Sequence, residues 1–102
     1  MTDGSSTPIW VYVSHESGKA SPVALELLGK GQGLAERAGA RLEAVVMGTG
    51  LDSVLEQVRT AGATTILVVD DPALERFSAA AFAWALSELA LADKPQAILL
   101  GA

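Results

Sequence analysis

The sequence predicts an α/β fold: an open, parallel sheet of about four strands with three flanking helices. Two observations carry that prediction. Strand-like and helix-like segments alternate seven times with short connections, which is the pattern of a parallel sheet covered by helices. The first strand-like run is β-branched and aromatic with no inside–outside alternation, as expected of a strand buried on both faces. The composition agrees, since 50% of the 102 residues are hydrophobic and a further 10 are glycine, more apolar than an average soluble domain. This length suits one small domain, and neither a second domain nor a low-complexity linker is visible.

Residues 1–7 are small and polar with an acid at Asp3, and are expected to form a disordered lead before an ordered domain over residues 8–102. Ile9, Trp10, Val11, Tyr12 and Val13 make the first strand. Ser21 can cap a helix with its hydroxyl, Pro22 suits the first helical position, and Gly39 can stop the helix in the left-handed conformation. The first helix is therefore expected over residues 22–38, with Val23, Leu27, Gly31, Leu34 and Ala38 on the sheet and Glu26, Lys30, Glu36 and Arg37 in water. A second strand follows at residues 42–47. Gly48-Thr49-Gly50 then leads into a short helix that buries Leu51, Val54, Leu55 and Val58 and ends at Gly62. Residues 64–69 make the third strand. Asp71-Pro72 opens a third helix running to about Ala92, Lys94-Pro95 breaks it, and residues 97–100 form the fourth strand. Right-handed crossovers between such units give a Rossmann-like topology.

Charge and composition exclude several functions. Twelve acidic against seven basic residues give a net charge of -5, which works against a surface that tracks phosphates, so no nucleic-acid partner is expected. With no cysteine and a single histidine, disulfides, thiolate metal sites and thiol nucleophiles are excluded and no metal site is expected. The uncharged stretch over residues 77–87 is only 11 long, against the roughly 20 residues a helix needs to cross a bilayer. The lead lacks a secretory or transit pattern, so the expected compartment is the bacterial cytoplasm.

In open α/β sheets ligands bind beyond the carboxyl ends of the strands, which directs attention to residues 14–19, Gly48-Thr49-Gly50, Asp70-Asp71 and Gly101. His15 lies between Ser14 and Glu16, but chain neighbours rarely converge as a catalytic triad, and an exposed turn histidine is the simpler expectation. Gly29-Lys30-Gly31-Gln32-Gly33 looks like a phosphate cradle yet falls inside the first helix, where Gly31 is expected to permit close packing. Gly48-Thr49-Gly50 is better placed for an anion, although Asp52 just beyond it would repel a phosphate. Asp70-Asp71-Pro72 offers two carboxylates, but Asp71 has a ready role as a helix cap. Neither a dinucleotide fingerprint nor a P-loop follows any strand. No catalytic, cofactor-binding or metal-binding residue is therefore expected. The third helix is apolar nearly all round, with Phe77 and Trp84 within about 20° of one another and Phe82 some 140 to 160° away. A second dry face of this kind is expected to be covered by other polypeptide.

Five segments in order, IWVYVSHE from Ile9, GKASPVALELLG from Gly18, VVMG from Val45, TILVVDDPAL from Thr65 and PQAILLGA from Pro95, resemble the N-terminal region of the electron transfer flavoprotein alpha subunit. The resemblance runs from Pro8 to Ala102, with a departure at Ser14-His15-Glu16. It implies an adenine nucleotide alpha hydrolase-like variant of the Rossmann-like sheet, and a chain about a third of such a subunit, lacking the C-terminal domain that binds FAD. No cofactor is then expected on this segment alone. The implied partners are the beta subunit and, through the whole complex, acyl-CoA dehydrogenases of fatty acid beta-oxidation or related flavoproteins and a membrane quinone reductase. The implied role is an electron-carrier component, not an enzyme. Two rivals from other classes are a stand-alone nucleotide-binding module of universal-stress-protein type, holding adenine nucleotide at Ser14 to Glu16 and Gly48 to Gly50, and a hydrolase using His15.

Overall fold

A computed structural model describes residues 8–63, 65–74, 79–95 and 97–100. The expected lead at residues 1–7, Phe77 and the chain end at Gly101 lie outside the described residues, as does the side chain of Phe82. The chain runs β1 (Ile9–Tyr12), β2 (His15–Glu16), β3 (Lys19–Ala20), α1 (Pro22–Ala38), β4 (Leu42–Gly48), α2 (Asp52–Thr60), β5 (Ile66–Asp70), a 3-10 turn (Pro72–Leu74), α3 (Ala79–Asp93) and β6 (Ala97–Leu100). Four of the strands form one parallel sheet in the order β5-β4-β1-β6, the Rossmann-like arrangement expected. The two short strands β2 and β3 pair as an antiparallel hairpin that the sequence reading did not anticipate.

The period of two along each strand sorts side chains to opposite faces of the sheet. Ile9, Val11 and Val13 of β1 join Leu42, Ala44 and Val46 of β4 in a core closed by α1 and α2. Trp10 meets Val45 and Met47 on the other face, where Ala85, Leu86, Leu89 and Ala90 of α3 cover them. The result is three layers, with β1 and β4 buried on both sides. β5 lies at one edge of the sheet, and Val68 there is exposed.

Helix α1 begins as expected: Ser21 Oγ accepts from the Ala24 N–H at 3.4 Å, Pro22 opens the first turn, and Gly39 ends the helix at φ 66°. Its buried stripe is not the expected one. Ala24, Leu28, Gly31 and Ala35 face the sheet, while Val23 and Leu34 are 46% and 45% exposed and Ala38 is exposed. The sequence offered two stripes one residue apart that share Gly31, and the one with the smaller residues at Ala24 and Ala35 lets the helix axis approach the sheet. Glu26, Lys30, Glu36 and Arg37 are exposed as expected.

Gly31 is where that approach is tightest, because a Cβ there would lie 3.1 Å from a Leu42 methyl. Gly29 and Gly33 face open space. Gly29→Ala and Gly33→Ala are each expected to stabilise the chain by about 0.5–1 kcal/mol, as the helix interior gains from losing glycine's backbone freedom. Gly31→Val is expected to destabilise by about 1–3 kcal/mol through overpacking. Urea denaturation of the three variants checks the assignment of this glycine run to packing.

The second helix buries Val54 and Val58, with Leu51 buried just before it, as expected, while Leu55 is half-buried. The third differs from the expectation of one helix from Asp71: a 3-10 turn holds residues 72–74, with the Leu74 N–H on the Asp71 carbonyl, and α3 is helical from Ala79. Trp84 and Leu91, one above the other at a spacing of seven, are 67% and 72% exposed, so the helix does carry an apolar outer face. No helix among the described residues is long and apolar enough to cross a membrane.

Candidate functional site

The carboxyl ends of the strands bring together three of the loops singled out from sequence. Gly48 ends β4 opposite Asp70 of β5, and the Asp71 N–H donates to the Gly48 carbonyl at 3.0 Å. From β1 the chain turns back on itself through Ser17 and Gly18, both in the left-handed region at φ 52° and 77°, which is the geometry of a two-residue hairpin loop. The hairpin lays His15 over the end of β4: its Nε2–H donates to the Met47 carbonyl at 2.8 Å. Gly48 makes room for the ring, since a Cβ on Gly48 would lie 3.0 Å from both Cε1 and Nε2 of His15. His15 is thus a half-buried tie between two strand ends and not the exposed turn residue expected.

A second tie comes from α2. Gln57 receives the Ala20 N–H on its Oε1 at 2.9 Å and donates from Nε2 to the Gly18 carbonyl at 2.9 Å. A side-chain amide that meets one donor and one acceptor of a hairpin acts as one more rung of its ladder. Beside the hairpin, Ser14, Glu16, Lys19, Ser21 and Pro22 line an open depression of about 450 Å³ with His15 and Ala20. Gln57→Ala is expected to cost about 1–2 kcal/mol for the two lost hydrogen bonds, with faster amide exchange at Ala20 as the local readout.

The opposite end of the sheet holds a group of polar side chains that the sequence reading passed over. Trp10 is fully buried, and its Nε1–H is shared between Glu43 Oε1 at 3.0 Å and Asp93 Oδ2 at 2.9 Å. Arg41 Nε donates to Glu43 Oε2 at 2.8 Å, and another guanidinium nitrogen stands 3.9 Å from Asp93. Burial, then the hydrogen bond with Asp93, pushes the Glu43 carboxyl above its usual range against the opposing pull of Arg41 and Trp10. Asp93 is held below its usual range, first by its hydrogen bond with Glu43. The available signals were an acid inside an otherwise apolar strand and a strand tryptophan whose N–H needs a partner.

A family model described as the electron transfer flavoprotein domain matches residues 9–102, from the first residue of β1 onward. The chain belongs to the electron transfer flavoprotein domain family. Among its relatives is the electron transfer flavoprotein subunit alpha of Thermoanaerobacterium thermosaccharolyticum, 36% identical over 94 residues that cover 92% of this chain and 28% of that protein. Protein FixB of Rhizobium meliloti is 37% identical over 98 residues, with the same two shares. The acryloyl-CoA reductase electron transfer subunit beta of Anaerotignum propionicum is 30% identical over 94 residues, 92% of this chain and 26% of that one. The chain therefore spans little more than a quarter of the length of these relatives. The resemblance read from five short segments is thus a family relationship over the whole sheet.

Within this electron transfer flavoprotein domain the sequence-derived candidates separate. His15, Gly48, Asp70 and Asp71 converge at the strand ends, whereas Gly29, Gly31 and Gly33 lie in α1, away from them. The Nε2–H of His15 is engaged with a backbone carbonyl. Gly48 and Gly50 have φ of 147° and 60°, and α2 begins at Asp52 with an acid in its first turn. The space a Cβ on Gly48 would enter holds the His15 imidazole. Among the described residues no group of three or more His, Asp or Glu side chains could hold a metal ion.

Proposed function

We propose that this chain is the scaffold region of an electron transfer flavoprotein alpha subunit. In the full protein it supports electron transfer through FAD held by other parts of the assembly, in a heterodimer with the beta subunit. Electrons enter from acyl-CoA dehydrogenases or related flavoproteins and leave to a membrane quinone reductase, with the chain itself in the cytoplasm. The observation that carries this reading is that His15 of the chain's own hairpin lies against Gly48 beyond the strand ends, the usual ligand position of such a sheet. The residues at this end do not favour a flavin: the His15 imidazole lies against Gly48, and Asp52 follows Gly50 in the first turn of α2. The name of the Anaerotignum relative, which joins an electron transfer subunit to an acryloyl-CoA reductase, supports the acyl-CoA side.

Calorimetric titration of the chain with FAD, ATP and AMP tests the scaffold role, with no saturable heat expected from any of the three. Saturable binding of ATP or AMP would replace it with the stand-alone nucleotide module, and tight FAD binding would overturn it outright. Grafting the chain in place of the matching segment of the Thermoanaerobacterium subunit tests the family role. The graft is expected to assemble with its flavin, and loss of flavin from a folded graft would count against the proposal.

A further inference from the structure

We propose that Glu43 and Asp93 hold one proton between them, and that this proton, together with the Trp10 indole and the Arg41 guanidinium, fastens the C-terminal end of α3 to the sheet. Two carboxyl groups converge on a single indole hydrogen, at 3.0 and 2.9 Å. One N–H cannot compensate two negative charges. Among the described residues the cation in contact is Arg41, whose side chain is 47% exposed while that of Glu43 is 4% exposed. With both carboxyls ionised the group carries a net negative charge around the buried Glu43 side chain, and one proton makes it neutral.

The position of Asp93 sharpens the point. It is the last residue of α3, where the aligned peptide dipoles already place partial negative charge and where a carboxylate is disfavoured. The chain turns away immediately after it, with Lys94 in the left-handed region at φ 51° and its N–H on the Ala90 carbonyl. Among the described residues, Lys94 and Glu88 are exposed, β6 has no charged residue, and the one in β5, Asp70, lies at the opposite end of the strands. Of the two carboxyls, Glu43 is the more buried and has its affinity for a proton raised, so the proton resides there and Asp93 remains the anion that accepts from it.

The linkage has a definite sign. Glu43 binds its proton more tightly folded than unfolded, so its contribution to stability is complete below the ordinary value of 4.5 and is lost as pH rises through its raised value. Asp93 binds its proton less tightly folded, so its contribution is present above the ordinary 3.8 and is lost as pH falls through its lowered value. The clasp is fully closed only between the two, and it opens from the α3 side as pH rises.

Carbon-13 NMR of the side-chain carboxyls, recorded across the acid-to-neutral range on the 102-residue chain with the Trp10 indole resonance and α3 amide exchange, tests the proposal. Glu43 is expected to titrate above 4.5, the indole resonance to move in the same step, and exchange at Leu91, Ala92 and Asp93 to accelerate on the high-pH side. Asp93→Asn keeps an acceptor for the indole but removes the second charge. It is expected to lower the proton affinity of Glu43 by roughly tenfold and to abolish the step in α3 exchange. Glu43 titrating at or below 4.5, or an indole resonance indifferent to its titration, would overturn the proposal on the unmutated chain alone. So would an Asp93→Asn variant that keeps the step.

Discussion

Trp10→Ala is expected to destabilise the chain by about 3–5 kcal/mol, the range for removing a fully buried large aromatic side chain from a core. Two losses combine there. The indole fills the space between β1 and α3 beside Val45, Met47 and Ala85, and its N–H is the shared donor to two acids. Removal leaves a cavity and takes from Glu43 and Asp93 the N–H they share. Trp10→Phe separates the two terms, because it restores most of the volume without the donor. It should recover the packing part and retain the polar deficit, about 1–3 kcal/mol. Urea titration followed by far-UV circular dichroism measures both, and a Trp10→Phe variant as stable as the original chain would show that the indole hydrogen contributes nothing.

The second large effect belongs to Gly48. Gly48→Ala is expected to cost roughly 2–4 kcal/mol, one part for a side chain at a φ of 147° and the other for driving a methyl into the His15 ring. The two parts respond differently to a second change. In a His15→Ala background the steric part disappears and the backbone part stays, so the paired substitutions should be less damaging together than the sum of the single ones. Strict additivity would mean that the ring does not occupy the space beside Gly48. Because His15 also donates to the Met47 carbonyl, the single Gly48→Ala variant should expose the β2–β3 hairpin to faster exchange before it lowers global stability.

The layers of the fold were legible because they depend on patterns that survive local error. A Pro after a capping Ser, a Gly at a helix end and apolar runs between short loops placed α1, β4, α2 and β6 close to where they occur. What failed was finer. The buried face of α1 was misjudged by one position because Val23 and Leu34 looked like better core residues than Ala24 and Ala35. Burial there is decided by how near the helix comes to Leu42, which no local pattern encodes. The hairpin was missed because Ser17-Gly18 is a weak turn signal and its flanks are polar, so its strands are held by Gln57 and the Met47 carbonyl, contributed from afar. The absence of a phosphate motif at the strand exits could be read directly. The grouping of Trp10, Arg41, Glu43 and Asp93 could not, since its members are scattered along the chain and only an acid within an apolar run hinted at it.

The tie between Trp10 and Asp93 joins residues 83 positions apart, and β1 also waits for β6 to cover its second edge. During synthesis β1 therefore emerges well before the partners that finish it, and it must stay soluble with a bare edge and an unanswered indole while the intervening helices form. Sequence separation of this kind slows folding through the entropy of closing large loops. A nascent chain stalled before Asp93 should consequently be a better client for holding chaperones than one stalled just after β6, even though the two differ by only a few residues.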